Sequence, residues 1–103
     1  MSHPLRKPAT WQTDPGERIL EYLESRGWCS PREIARGDGI HLTVPATRTT
    51  LLMLADGELV APFDADYDLY ALTTDGRLYL DGERDQELHP HPYYYGLATA
   101  PLL

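Results

Sequence analysis

Ser30-Pro31-Arg32-Glu33-Ile34-Ala35, an Asp38-Gly39 turn and then Thr43-Val44-Pro45 decide how this chain folds. Ser30 is a side-chain cap, Pro31 suits the first helical position, and Glu33 three residues after the cap completes a capping box. Upstream, Asp14-Pro15-Gly16-Glu17 repeats the pattern, with Asp14 as the expected cap of a first helix over 15–26. Ile19, Leu20 and Leu23 give that helix a core-facing stripe, and Gly27 stops it. The second helix is predicted over 31–36, with Ile34 and Ala35 inward and Gly37 at its end. Ile40 or Leu42 is expected to plug the gap before a third helix, capped by Thr43 and ending near Ala55-Asp56-Gly57. Leu51 and Leu54 are its core residues, with Thr47 one turn earlier on the same side.

Working outward from these helices, Glu58 to Pro62 and Leu69 to Thr73 read as two strands. They are joined by the acidic turn Asp64-Ala65-Asp66-Tyr67-Asp68. A last helix starts at Thr73 or Thr74 and carries Leu78, Tyr79 and Leu80. The order predicts an α+β winged helix-turn-helix: three helices, a two-stranded wing, a C-terminal helix and then an irregular apolar tail. Three regions follow, namely a flexible arm at 1–13 anchored by Trp11, the domain at 14–83 and the tail at 84–103.

Composition narrows the function classes. The chain has 103 residues, a formal net charge of −7 and a single lysine, Lys7. Its sequence pI of about 4.8 is the opposite of the usual basic footprint of a nucleic-acid binder. An acid-rich, lysine-poor surface suits a very salty cytosol, in the haloarchaeal style, because carboxylates hold water and cations against salting out. Charge is also uneven. Residues 30–55 carry Arg32, Arg36 and Arg48 against Glu33 and Asp38, whereas residues 56–87 carry ten acids against Arg77 and Arg84.

No stretch is long and apolar enough to span a membrane and no hydrophobic leader is evident, so a cytoplasmic protein is expected. Cys29 stands alone, which excludes an internal disulfide and a cysteine-based zinc site. His89 and His91 are a weak metal pair. Asp64, Asp66 and Asp68 match a calcium loop only in spacing, lacking its glycine and distal glutamate. No nucleophile–base pair, phosphate loop or paired-carboxylate motif appears, so neither an enzyme nor a cofactor is expected.

Several of these strings resemble the haloarchaeal winged-helix regulators of the phage phi-H repressor type. The residues that carry the likeness are Thr10-Trp11, Asp14 with Glu17-Arg18-Ile19-Leu20-Glu21, Ser30 to Ala35, Glu58-Leu59-Val60 and Leu72-Thr73 with Gly76 to Leu80. They cover residues 10 to 83. The resemblance implies a dimeric DNA-binding repressor without a cofactor. The chain departs from the pattern in two places. Thr43 to Ala55 contains a single basic residue, Arg48, and the wing tip carries three aspartates where a basic residue normally faces phosphate.

The expected partner is double-stranded DNA, with the helix around Thr43–Ala55 in the major groove. Arg48 is the candidate for a base edge, since a guanidinium can grip guanine O6 and N7. Thr43 and Thr47 are candidates for phosphate or a thymine methyl, though capping and core packing explain them equally well. Ser30 and Arg32 start the helix that crosses the backbone and Arg36 lies nearby, so all three are candidates for phosphate. A homodimer is expected, held by the tail or the terminal helices, because the uncapped apolar run Tyr93 to Leu103 calls for a surface to dock on. The alternative is a winged helix turned protein-interaction module that uses Leu52 and Met53 or the tyrosine tail.

Overall fold

The computed structural model describes residues 6–64, 66–89, 91 and 92. Four helices and one antiparallel sheet make up the domain: α1 (Asp14–Arg26), β1 (Trp28–Cys29), α2 (Pro31–Ala35), α3 (Val44–Asp56), β2 (Val60–Asp64), β3 (Leu69–Leu72) and α4 (Thr74–Leu80). A single 3-10 turn at Gln86–Leu88 follows. The sheet order is β1-β3-β2, so the last strand of the hairpin is its centre. This α+β layout fits a winged helix.

Local chemistry explains most of the boundaries. The cap of α1 is Thr13 rather than Asp14: its hydroxyl accepts from Gly16 N at 3.2 Å, which leaves Asp14 and Pro15 inside the first turn. Asp14 there still opposes the positive end of the helix dipole. At α2 the capping box is complete, with Glu33 N donating to Ser30 Oγ at 3.1 Å and Ser30 N donating to Glu33 Oε1 at 2.8 Å. Thr43 caps α3 by accepting from Ala46 N at 3.1 Å, and Thr73 caps α4 by accepting from Gly76 N at 2.9 Å.

Trp28-Cys29 forms a short strand: Trp28 pairs with Ala71 and Cys29 with Tyr70. Two residues give no alternation pattern, so this pairing is settled by β3 rather than by β1's own sequence. β2 runs past Pro62 to Asp64, with an irregular register between them.

The core joins Ile19, Leu20 and Leu23 of α1, Ile34 of α2, Ile40 from the turn after it, and Leu51 and Leu54 of α3. Leu59, Val60 and Tyr70 from the hairpin and Tyr79 and Leu80 of α4 complete it. Leu42 packs against its edge, so Ile40 and Leu42 share the role expected of one of them. Cys29 is buried in this cluster, and that burial pushes its thiol pKa up, as fits a packed rather than a reactive cysteine.

Residues 6–13 pack on the domain rather than standing off as an arm. Arg6 Nη1 donates to Glu21 Oε2 at 2.7 Å and Glu17 Oε1 at 3.1 Å. On the far side of Glu17, its Oε2 accepts from Gln12 Nε2 at 2.7 Å and from the buried Tyr79 hydroxyl at 2.5 Å. Burial and the Glu17 bond both push the Tyr79 phenol far up, so it stays a neutral donor at any working pH. The start of the expected tail is docked as well. Arg84 and Gln86 are buried, and Gln86 Nε2 donates to Gly57 O at 2.8 Å. The apolar run Tyr93 to Leu103 lies outside the described residues.

Gly76 marks the tightest join. A Cβ there would run into the Leu59 carbonyl oxygen and sit 2.7 Å from Leu72 Cδ1. The backbone oxygen cannot rotate away, so Gly76→Ala should cost about 1–3 kcal/mol, as overpacking does. For a domain of this size that corresponds to a fall of about 4–8 °C in melting temperature per kcal/mol. Thermal unfolding followed by circular dichroism checks it; an unchanged midpoint would mean that α4 and the hairpin are not joined this closely.

Candidate nucleic-acid interface

α2 and α3 pack against each other, and β2 of the hairpin lies beside α3. Arg32 and Arg36 are exposed on α2 and its cap, and neither makes an ion pair among the described residues. Ser30 is half-buried and committed to its capping box. At the start of α3, Thr43 is exposed but its hydroxyl is taken by the cap. Arg48 and Thr49 are exposed one turn further on, with Thr49 Oγ1 donating to Pro45 O at 3.1 Å.

Thr47 is in a different position from the one a nucleic-acid contact needs. Its side chain is fully buried with Leu51 and Leu54, on the face of α3 turned toward the core. Its Oγ1 has no hydrogen-bond partner among the described residues. The packing explanation, rather than the phosphate or methyl one, therefore accounts for this residue.

Arg48 is engaged, not idle. Its Nη2 donates to Asp68 Oδ2 at 2.6 Å and its Nη1 to Asp68 Oδ1 at 3.0 Å, a two-pronged pair across to the hairpin turn. The bonds to Asp68 raise the arginine's pKa and lower the aspartate's. A lowered aspartate contributes to stability above its unfolded value and loses that contribution as pH falls, so the pair is intact at neutral pH. Both side chains remain nearly half-exposed, at 45% and 43%, which limits the worth of the pair to about 0–1 kcal/mol.

In the sequence Asp68 stands out only as one of three wing-tip acids. Its distinguishing signal is position: it closes the turn immediately before β3, with a φ of 56°. That left-handed conformation is one that Asp and Asn tolerate better than most residues. Asp64 is instead tied to its own turn, accepting from Asp66 N at 3.0 Å. No group of three or more metal-ligating side chains occurs among the described residues.

Comparison with known proteins agrees with the class that this fold defines. No protein-family model matches the chain, and no curated protein matches it significantly. Among solved structures it is similar to the PhiH1 repressor-like protein from Haloarcula marismortui. The two are 30% identical with a TM-score of 0.78, over 86% of this chain and 99% of that one. The chain belongs to the PhiH1 repressor-like family. No helix among the described residues is long and apolar enough to cross a membrane.

Proposed function

We propose that the chain is a transcriptional repressor of a halophilic archaeon that binds duplex DNA as a homodimer, with α3 in the major groove. The observation that carries this reading is the outward side of α3. Thr43, Arg48 and Thr49 are exposed there, next to α2 with Arg32 and Arg36, which make no ion pair among the described residues. In a winged-helix layout α3 is the recognition helix and the β2–β3 hairpin is the wing. Arg32 and Arg36, with the capped start of α2 at Ser30, face phosphate. Thr43 approaches the backbone at the N-terminus of α3, and Thr47 supports the helix from beneath.

Arg48 reads a base by exchanging partners. A bidentate arginine–guanine contact is worth about 1–3 kcal/mol of discrimination, and the surface pair it replaces about 0–1 kcal/mol. The exchange therefore runs toward the base once α3 is seated. Multimolar salt shortens the Debye length to about 3 Å or less, which screens the acidic wing from phosphate. The same salt removes most of the counterion-release gain, so affinity rests on close hydrogen bonds, apolar contacts and shape. Dimer contact falls to the terminal elements, where Leu88 is 80% exposed.

A second reading has its own support: Arg48 is already paired, the hairpin turn is acidic, and Leu52 is 39% exposed on the same helix. In an interaction module Leu52 would be buried against a protein. Leu52→Glu separates the two. The regulator reading expects dimer mass by light scattering in molar KCl to stay as it is. It also expects retention of a random duplex-DNA library in molar KCl to change less than about fivefold, or about 1 kcal/mol, since Leu52 lies off the base-reading position assigned to Arg48. Loss of self-association with DNA retention unaltered would favour the interaction module.

A further inference from the structure

The outer face of the sheet has no cover among the described residues. Trp28 on β1 and Phe63 on β2 stand on opposite edges of the sheet, yet their rings stack at 4.9 Å between centroids and 9° between planes. They meet above the central strand because Ala71, the residue opposite both Trp28 and Ala61, is too small to hold them apart. The two rings remain 56% and 58% exposed, and Tyr67 at the hairpin turn 72%. Among the described residues, three of the five exposed large hydrophobic side chains therefore lie on this one sheet and its turn. The stacked and half-exposed Trp28–Phe63 pair is the kind of apolar patch that marks an interaction surface.

A candidate occupant is present in the same chain. Residues 93–103, Tyr93-Tyr94-Tyr95-Gly96-Leu97-Ala98-Thr99-Ala100-Pro101-Leu102-Leu103, carry no charged side chain in a protein that is 24% charged. The described chain ahead of them is held at the start of β2. Arg84 Nη2 donates to Glu58 Oε1 at 3.0 Å and Gln86 holds the Gly57 carbonyl, so the chain is pinned three to four residues ahead of Ala61 on β2. Six residues later it reaches the buried Pro92. Eleven further residues span at most about 36 Å at about 3.3 Å each, against a longest molecular dimension of 36 Å. Reach is sufficient, and attachment to the same chain raises the local concentration of the segment far above that of an unattached copy.

We propose that residues 93–103 lie across the Trp28–Phe63 face of their own chain, with leucine side chains against the two stacked rings. The proposal is independent of the DNA-binding reading. Its test uses the full chain in molar KCl, prepared as an equal mixture of isotopically labelled and unlabelled protein. Nuclear Overhauser contacts are expected from the Leu97, Leu102 or Leu103 methyls to the Trp28 indole within labelled molecules. Phe63→Glu should abolish those contacts and sharpen the resonances of 93–103 while the amide signals of α1–α4 persist. Sharp, contact-free resonances for 93–103 in the unaltered chain would overturn the proposal. So would the same contacts appearing between labelled and unlabelled copies, which would assign the face to a second copy. Both of these outcomes are read on the unaltered protein and do not depend on how Phe63→Glu folds.

Discussion

Arg48→Ala should weaken binding to a selected duplex site at least about fivefold and leave the fold untouched. The arginine is the one cation between Thr43 and Ala55, so a reader built on α3 has no second guanidinium with which to grip a base edge. Loss of a bidentate contact worth about 1–3 kcal/mol converts to roughly five- to 150-fold in affinity. Stability should move little. Arg48 is exposed, alanine is the best helix former, and the Asp68 pair it forfeits is worth about 0–1 kcal/mol. Fluorescence anisotropy in molar KCl, with circular dichroism on the same samples, reads both quantities. Unaltered affinity would remove Arg48 from the interface.

Transfer from molar to dilute KCl should lower the melting temperature steadily, by about 8–16 °C if about 2 kcal/mol of stability is lost. The cause is uncompensated charge. Sixteen acids face nine basic residues, and among the described residues Asp56, Asp64, Asp66, Asp81 and Glu83 make no ion pair. Their mutual repulsion destabilises the compact state in dilute buffer and is screened within about 3 Å at about 1 M salt. Salt also weakens ion pairs, but the two most buried of the paired arginines are shielded from it. Arg84 is 7% exposed between Glu58 and Asp75, and Arg6 is 11% exposed between Glu17 and Glu21. Repulsion between exposed acids is therefore the larger salt-sensitive effect. Calorimetry across a KCl series checks the slope, and a flat series would contradict the halophilic reading.

What can be read ahead of the structure follows from where each signal is local. The capping box at Ser30 and Glu33, the threonine cap of α3 and the apolar stripe Ile19-Leu20-Leu23 each depend on neighbours within four residues, and all three are present. The cap of α1 lies one residue earlier than expected because Thr13 and Asp14 are both good caps and only backbone geometry chooses between them. β1 is not legible, since a two-residue strand exists only through β3, more than forty positions away. At the candidate site the exposed arginines can be picked out by residue type. The Arg48–Asp68 pair cannot, because it spans twenty residues and depends on how the hairpin turns toward α3. Thr47 shows the same limit from the other side: its polarity suggests an outward role, while its place in the Leu51–Leu54 stripe buries it.

Whether Arg48 moves from Asp68 to a base is measured most directly by a double-mutant cycle on DNA affinity. Asp68→Asn removes the carboxylate while keeping a residue that tolerates the positive φ, so the hairpin should hold its shape. In the unaltered background the substitution should tighten binding by up to about fivefold, the equivalent of about 1 kcal/mol for the released pair. In the Arg48→Ala background the same substitution should change affinity by much less, because no arginine remains to be released. Equal tightening in both backgrounds would mean that Asp68 acts only by its charge near phosphate. It would contradict the partner exchange on which this reading of α3 rests.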